Sequence, residues 1–185
     1  MNTSPLAEWE SFYVIVGSSG GALTGLMFVV IALIAERGAA RSLREIDAFG
    51  TPTVVHLSSA LLISAILSAP WRSATGPSVL LGILGLAGVI YCFVVLRRAR
   101  AQSGYKPVLE DWVWHTILPF LAYAAIGAGA IRLAAKTELS LLAFGAASML
   151  LLVIGVHNAW DTVTFIVVER PVVPPSPTAT PVTEA

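Results

Sequence analysis

The side chains of three histidines and one aspartate in this sequence could bind protons or a metal ion in apolar surroundings. His56, His115 and His157 each lie within or beside an apolar stretch. His157 and Asp161 are four residues apart, so on a helix they share a face, and Asn158 lies between them in sequence. Histidine titrates near neutral pH, and histidine with carboxylate can also bind zinc. The two chemistries that this pattern favours are therefore proton or ion handling and metal binding.

The composition indicates that these groups are surrounded by lipid. The chain has 185 residues, of which 56% are hydrophobic and 12% charged, whereas an average soluble protein has about 25% charged residues. A soluble fold of this size could not hide that much apolar surface from water. The net charge is zero, so no overall field favours nucleic acid, and Cys92 is the only cysteine.

Five apolar stretches are long enough, or nearly so, to cross a membrane. A helix needs about 20 residues to span a hydrocarbon core of about 30 Å, and backbone groups in lipid must be paired internally. We therefore predict an all-α integral membrane protein, a bundle of five transmembrane helices. The predicted spans are residues 12–35, 53–69, 78–96, 112–131 and 139–157.

The basic residues predict the orientation of these spans. With five crossings, the N-terminus and two loops on its side carry three Lys or Arg residues, while the opposite loops and the C-terminal segment carry eight. The positive-inside rule then predicts an N-terminus outside and a C-terminus in the cytoplasm. Glu8 and Glu10 precede the first apolar run and no basic residue does, so we expect that run to remain as an anchor rather than act as a cleaved signal peptide.

The sequence divides into one membrane domain and a tail. Residues 1–170 contain all five spans, and residues 171–185 contain five prolines and no basic residue. Such a proline-rich composition predicts a disordered cytoplasmic tail.

Small residues in the first span predict close helix packing. Five of them fall within about 140° of one helix face: Gly17, Gly20, Gly21, Thr24 and Gly25. Helices in lipid associate where small residues let their backbones approach. We expect this face to pack against another helix, within the subunit or across a homo-oligomer.

The same span carries a resemblance to a known group. The segments WESFYVIVG and ALTGLMFV, together with NAWD at the end of the last predicted span, resemble a family of small bacterial multi-pass membrane proteins of uncharacterised function. The resemblance covers the first and last spans. It implies a location in the bacterial inner membrane.

The predicted topology brings the histidines to one depth. His56 and His115 lie one turn into spans that begin at the cytoplasm, and His157 lies at the end of the last span. The second span also carries a polar stripe that we expect to run through the membrane, and Tyr123 shares a face with His115 on the fourth span. The stripe consists of Ser59, Ser64 and Ser68.

Three functions are compatible with this arrangement. The first is a small oligomeric channel or transporter for ions or protons, in which the inner-leaflet cluster of His56, His115, His157, Asn158 and Asp161 binds the ion. The second is a non-conducting membrane scaffold or regulatory subunit, in which these groups only fix helix ends. The third is a metal-dependent membrane hydrolase with zinc at the three histidines and Asp161. No nucleotide or covalent-catalysis motif is present, so we expect no other cofactor and favour a protein that is not an enzyme.

Overall fold

All regular structure in the described part of the chain is helical. A computed structural model describes residues 5–36, 51–101 and 109–168. Its five long helices are α1 (Glu10–Glu36), α2 (Thr51–Ser68), α3 (Thr75–Ala101), α4 (Leu118–Arg132) and α5 (Thr137–Val168). A single turn, Pro5–Glu8, precedes α1. A turn of α-helix, Leu109–Trp112, and a π-helical segment, Val113–Ile117, lead into α4.

Five of these helical stretches are long and apolar enough to cross a membrane. They are Glu10–Leu33, Thr51–Ser68, Thr75–Arg97, Val113–Arg132 and Thr137–Thr164. The prediction of an all-helical chain with five membrane-length apolar helices is confirmed. The predicted tail, residues 171–185, lies outside the described residues. So do five of the eleven basic residues that set the predicted orientation.

The last helix is longer than predicted. We expected the fifth span to end at His157, but α5 continues to Val168. Hydropathy marks where the apolar stretch ends, whereas a helix continues until its backbone hydrogen bonding is interrupted. Neither glycine nor proline occurs between His157 and Pro171 to interrupt it. The His-Asn-Ala-Trp-Asp stretch therefore lies inside a continuous helix and not at its end.

Prolines mark the beginnings of three helices. Pro52 is the second residue of α2, Pro77 the third residue of α3 and Pro119 the second residue of α4. Proline is tolerated in a first turn because its missing N–H would have no intrahelical partner there. Before Pro119 the chain is already helical, so the missing donor disturbs a continuous helix. The backbone there widens to a π-helix, in which the N–H of Leu118 bonds the Val113 carbonyl.

Contacts between small and large residues show the helix directions. Gly17 of α1 lies against Ser64 of α2, and Gly20 lies against Leu57, so α1 and α2 are antiparallel. Phe12 lies against Gly145 near the start of α5. Leu23 lines a surface groove together with Leu152, which lies farther along α5. Helix α1 is therefore parallel to α5, and α2 is antiparallel to α5.

Helices α2 and α5 form the centre of the bundle. Helix α2 packs mainly against α1 and α5, and α4 packs mainly against α5 and α3. In the most apolar stretch of each helix, 56% of the residues are buried in α2 and α5, against 22% in α1 and α3, so the outer helices leave a larger share of their apolar residues exposed. Ile15 and Phe28 of α1 and Leu86 of α3, for example, are each about 60% exposed. Such an apolar surface is suited to lipid.

Candidate functional site

A buried hydrogen-bonded chain joins α2 to α4. The Nδ1 atom of His56 lies 3.0 Å from the Tyr123 hydroxyl, and the Ser59 hydroxyl lies 2.9 Å from the same oxygen. His56 is 2% exposed, Ser59 6% and Tyr123 not at all. Ser59 also donates a hydrogen bond to the Val55 carbonyl one turn earlier, at 2.7 Å. Buried polar groups of this kind are stable only when they are hydrogen-bonded.

The donors in this chain can be assigned by counting hydrogens. Because Ser59 donates its single hydrogen to the Val55 carbonyl, its oxygen can only accept from Tyr123. Tyr123 then donates its own hydrogen to Ser59, so its oxygen accepts from Nδ1–H of His56. In the opposite arrangement Tyr123 would donate to His56, and the Tyr123–Ser59 contact would have no hydrogen. The geometry therefore favours the Nδ1–H tautomer, which leaves Nε2 as the atom that would accept a further proton.

Two glycines of α3 make room for Tyr123. A Cβ atom at Gly88 would overlap the Tyr123 ring, and one at Gly85 would lie 3.0 Å from the Tyr123 carbonyl and 2.6 Å from the Gly127 nitrogen. Close approach of α3 and α4 thus holds the aromatic ring in place, as small-residue interfaces do in membranes. Tyr91 of α3 adds an edge-on ring contact to His56, with ring centroids 6.3 Å apart.

His157 and Asp161 form a second, more exposed cluster on α5. Nε2 of His157 lies 3.1 Å from Oδ2 of Asp161, and the two side chains are 24% and 49% exposed. The Trp114 ring stacks on the His157 ring at 3.9 Å between centroids and 18° between planes. Partial exposure screens the ion pair, so its contribution to stability is small.

The π-helical segment, Val113–Ile117, places one residue beside each of the two clusters. Trp114 contacts His157, while the next residue, His115, lies near His56. His115 itself is half-buried. The structure thus brings the three histidines to one region of the bundle through Val113–Ile117, with His56 buried and His115 and His157 half-buried.

The predicted metal ligands do not form one centre. Among the residues that the structure describes, no three His, Cys, Asp or Glu side chains are grouped to hold a metal ion. His56 is bonded to Tyr123, whereas His157 is paired with Asp161. The zinc site at His56, His115, His157 and Asp161 remains a prediction without structural support.

The predicted polar stripe on α2 is divided between faces. Ser59 contacts Tyr123 of α4, but Ser64 lies against Gly17 of α1 and donates to its own helix at the Ala60 carbonyl. Ser68 is exposed. One turn beyond Ser59 and Tyr123 lie Ile63 and Ile126, both with no exposed surface. An apolar layer therefore follows the buried chain. Ser64 comes five residues after Ser59, which turns it to a different face of the helix.

The small residues of α1 pack within the chain over only part of their length. A Cβ at Gly17 would lie 2.9 Å from the Ser64 Cβ, and one at Gly20 would lie 3.0 Å from the Leu57 carbonyl. A Cβ at Gly21 would only reach the end of the Leu61 side chain, at 3.9 Å, and one at Gly25 would have no described residue within 4 Å. Thr24 donates back to the Gly20 carbonyl at 2.7 Å. The packing face of α1 therefore contacts α2 at Gly17 and Gly20, whereas no described residue covers it at Gly25.

Asn158 is the remaining member of the predicted cluster. It is 3% exposed, and neither atom of its side-chain amide has a hydrogen-bond partner among the described residues. Its backbone carbonyl accepts a bond from Thr162, itself mostly buried. Asn158 thus faces the bundle interior, unlike its neighbours His157 and Asp161.

Two residues that shape the site, Trp114 and Gly88, were not identified from the sequence. Trp114 appears in the sequence as one of several tryptophans near span ends, and nothing local indicates that it covers His157. Gly88 belongs to a weak run of small residues in the third span, with Gly82 and Gly85. That run signals close packing, but it does not identify Tyr123 as the partner.

Comparison with known proteins adds no relative. No family model, no curated protein and no solved structure matches this chain. The resemblance of the first and last spans to a bacterial membrane-protein family stays a prediction.

Proposed function

We propose that this chain is a small bacterial inner-membrane transporter that binds and releases protons at His56. The observation that carries the proposal is the buried His56–Tyr123–Ser59 chain, an ionisable side chain held between two membrane-length helices. An ionisable group at such a position is unfavourable in lipid and usually serves a pathway. The hydrogen-bonded chain fixes the imidazole and leaves Nε2 to take up a proton.

The surroundings of the chain favour a transporter over an open channel. The chain ends at the Val55 carbonyl, which can accept a hydrogen bond but cannot pass a proton on. Beyond it lies the apolar layer of Ile63 and Ile126. A proton bound at His56 therefore needs a helix rearrangement to leave on the other side, as in alternating access.

The proposal includes an orientation and an assembly. The loop charges favour an N-terminus outside and a C-terminus in the cytoplasm, so a reporter fused after Ala185 is expected to be active in the cytoplasm. The open end of the α1 packing face, at Gly25, is where we expect a second copy to pack in a homo-oligomer.

Proton flux into proteoliposomes tests the function. Tyr123→Phe deletes the hydroxyl that holds His56, and Tyr13→Phe is the matched control. Tyr13 is also buried and donates a single hydrogen bond, to the Leu141 carbonyl at 3.0 Å, away from any histidine. We expect wild-type protein and Tyr13→Phe to carry protons, and Tyr123→Phe and His56→Gln to lose most of the flux. Wild-type vesicles that leak no faster than empty ones would exclude transport.

A non-conducting scaffold or regulator is the second candidate. The observation that favours it is the same apolar layer, which closes the bundle beyond Tyr123. In this case the buried chain only fixes the positions of α2 and α4 relative to each other. Tyr123→Phe would then lower stability without any flux to lose, and a tagged copy would recover a specific partner.

A further inference from the structure

Asn158 has a buried polar side chain with no hydrogen-bond partner among the described residues. Both Oδ1 and Nδ2 are buried, and neither is hydrogen-bonded within the described part of the chain. A buried carboxamide normally has its oxygen and its nitrogen satisfied, because leaving them unpaired is strongly unfavourable. The other such group, the Ser140 hydroxyl, lies in the first turn of α5, at the opposite end of the helix.

The helix directions place Asn158 at the level of the buried histidine. Gly155 lies against Leu57, where a Cβ atom would be 2.5 Å from the leucine Cδ2. Because α2 and α5 are antiparallel, the turn after Gly155 lies level with the turn before Leu57. That turn of α2 carries Thr53 and His56, which are 0% and 2% exposed. Asn158, Thr53 and His56 thus form one buried polar level between the central helices.

The hydrogen-bond donors and acceptor of the Asn158 amide indicate which kind of ligand can bind it. Oδ1 needs a donor and Nδ2 needs an acceptor, so the ligand must offer both within a small volume. A bare cation would satisfy the oxygen and face the amide hydrogens, and an anion would do the reverse. A lipid headgroup is excluded because the side chain is 3% exposed. Water offers both donors and acceptors, and buried waters typically bind such groups.

We infer that Asn158 binds an internal water molecule at the level of His56. The water site follows from the burial and chemistry of Asn158 alone. Its role, which rests on the proposed function, is to deliver protons to Nε2 of His56.

Magnetisation transfer from water tests the site directly. Asn2 and Asn158 are the two asparagines of the chain, so ¹⁵N-asparagine labelling of an Asn2→Ser variant leaves one side-chain amide. The probe is water in vesicles of chain-deuterated phosphatidylcholine, observed by solid-state NMR. We expect rapid transfer from water to the Nδ2 protons of Asn158 but not to its backbone amide inside α5. Absence of transfer to Nδ2 would overturn the water site.

The role is tested by Asn158→Leu, which removes both polar atoms at similar volume. We expect proton flux to fall about tenfold or more, as for loss of a proton-transfer group, while the thermal midpoint stays the same or rises. Ser140→Ala, at the other end of α5, is the control and should keep full flux. A lower midpoint with unchanged flux would show that Asn158 is structural. If wild-type protein carries no protons but the NMR signal is present, the proposed function and the delivery role fail while the water site stands.

Discussion

Gly88→Ala should destabilise the protein far more than the same change six residues earlier. A methyl group at Gly88 would overlap the Tyr123 ring, which is packed with no exposed surface. The ring must move, and it then loses its hydrogen bonds of 3.0 Å to His56 and 2.9 Å to Ser59. At Gly82, the nearest atom to an added methyl is the Ala130 Cβ at 3.8 Å, which is ordinary contact.

The expected size follows from these contacts. Overpacking a core costs about 1–3 kcal/mol, and each of the two hydrogen bonds contributes ~0.5–1.5 kcal/mol. Gly88→Ala should therefore lower the free energy of unfolding by about 2–6 kcal/mol. Gly82→Ala should change it by no more than ~1 kcal/mol, since helix propensity favours alanine.

Reversible unfolding in mixed detergent micelles, followed by tryptophan fluorescence, measures both variants under the same conditions. The double variant Gly88→Ala/Tyr123→Ala removes the ring that causes the clash, so the glycine substitution should be nearly neutral in that background. Equal stability of Gly88→Ala and Gly82→Ala would refute the packing of α3 on Tyr123.

Three further substitution pairs test neighbouring contacts. Gly20→Leu should separate α1 from α2, because an added Cβ lies 3.0 Å from a backbone carbonyl, whereas Gly25→Leu should leave the monomer stable and weaken only a homo-oligomer, as measured by cross-linking in vesicles. Ser59→Ala should reduce proton flux, whereas Ser64→Ala should not, since the Ser64 hydroxyl bonds only its own helix. Trp114→Ala should uncover His157 and speed its modification by diethyl pyrocarbonate, while Trp160→Ala, at a residue already 68% exposed, should leave that rate unchanged.

The helices could be predicted because hydropathy and length are local properties. Each span contains enough consecutive apolar residues to cross a membrane, and the structure contains a helix at every one. The end of α5 could not be predicted in this way, since the residues after His157 are more polar but still helical. The contacts that the π-helix before Pro119 makes, from Trp114 to His157 and from His115 to His56, depend on neighbouring helices.

The site was predictable in its members but not in its pairings. Helical spacing alone places His157 beside Asp161, and they do pair. Tyr123 and His56 are 67 residues apart, so their contact depends on how α2 and α4 pack on α5. The serines of α2 were assigned to one stripe because they fall within half the helix circumference. Half of the circumference is wide enough to face two different helices, and Ser59 contacts α4 whereas Ser64 lies against α1.

The position of the ring proton of neutral His56, on Nδ1 or on Nε2, gives the most direct test of the buried hydrogen-bonded chain. The protein has three histidines, so ¹⁵N-histidine spectra of vesicle-embedded protein can be assigned with His115→Gln and His157→Gln variants. We predict that neutral His56 carries its proton on Nδ1 and that Tyr123→Phe shifts this signal, whereas Tyr13→Phe leaves it unchanged. A neutral His56 with its proton on Nε2, or a signal that does not respond to loss of the Tyr123 hydroxyl, would contradict the proposed proton-binding site.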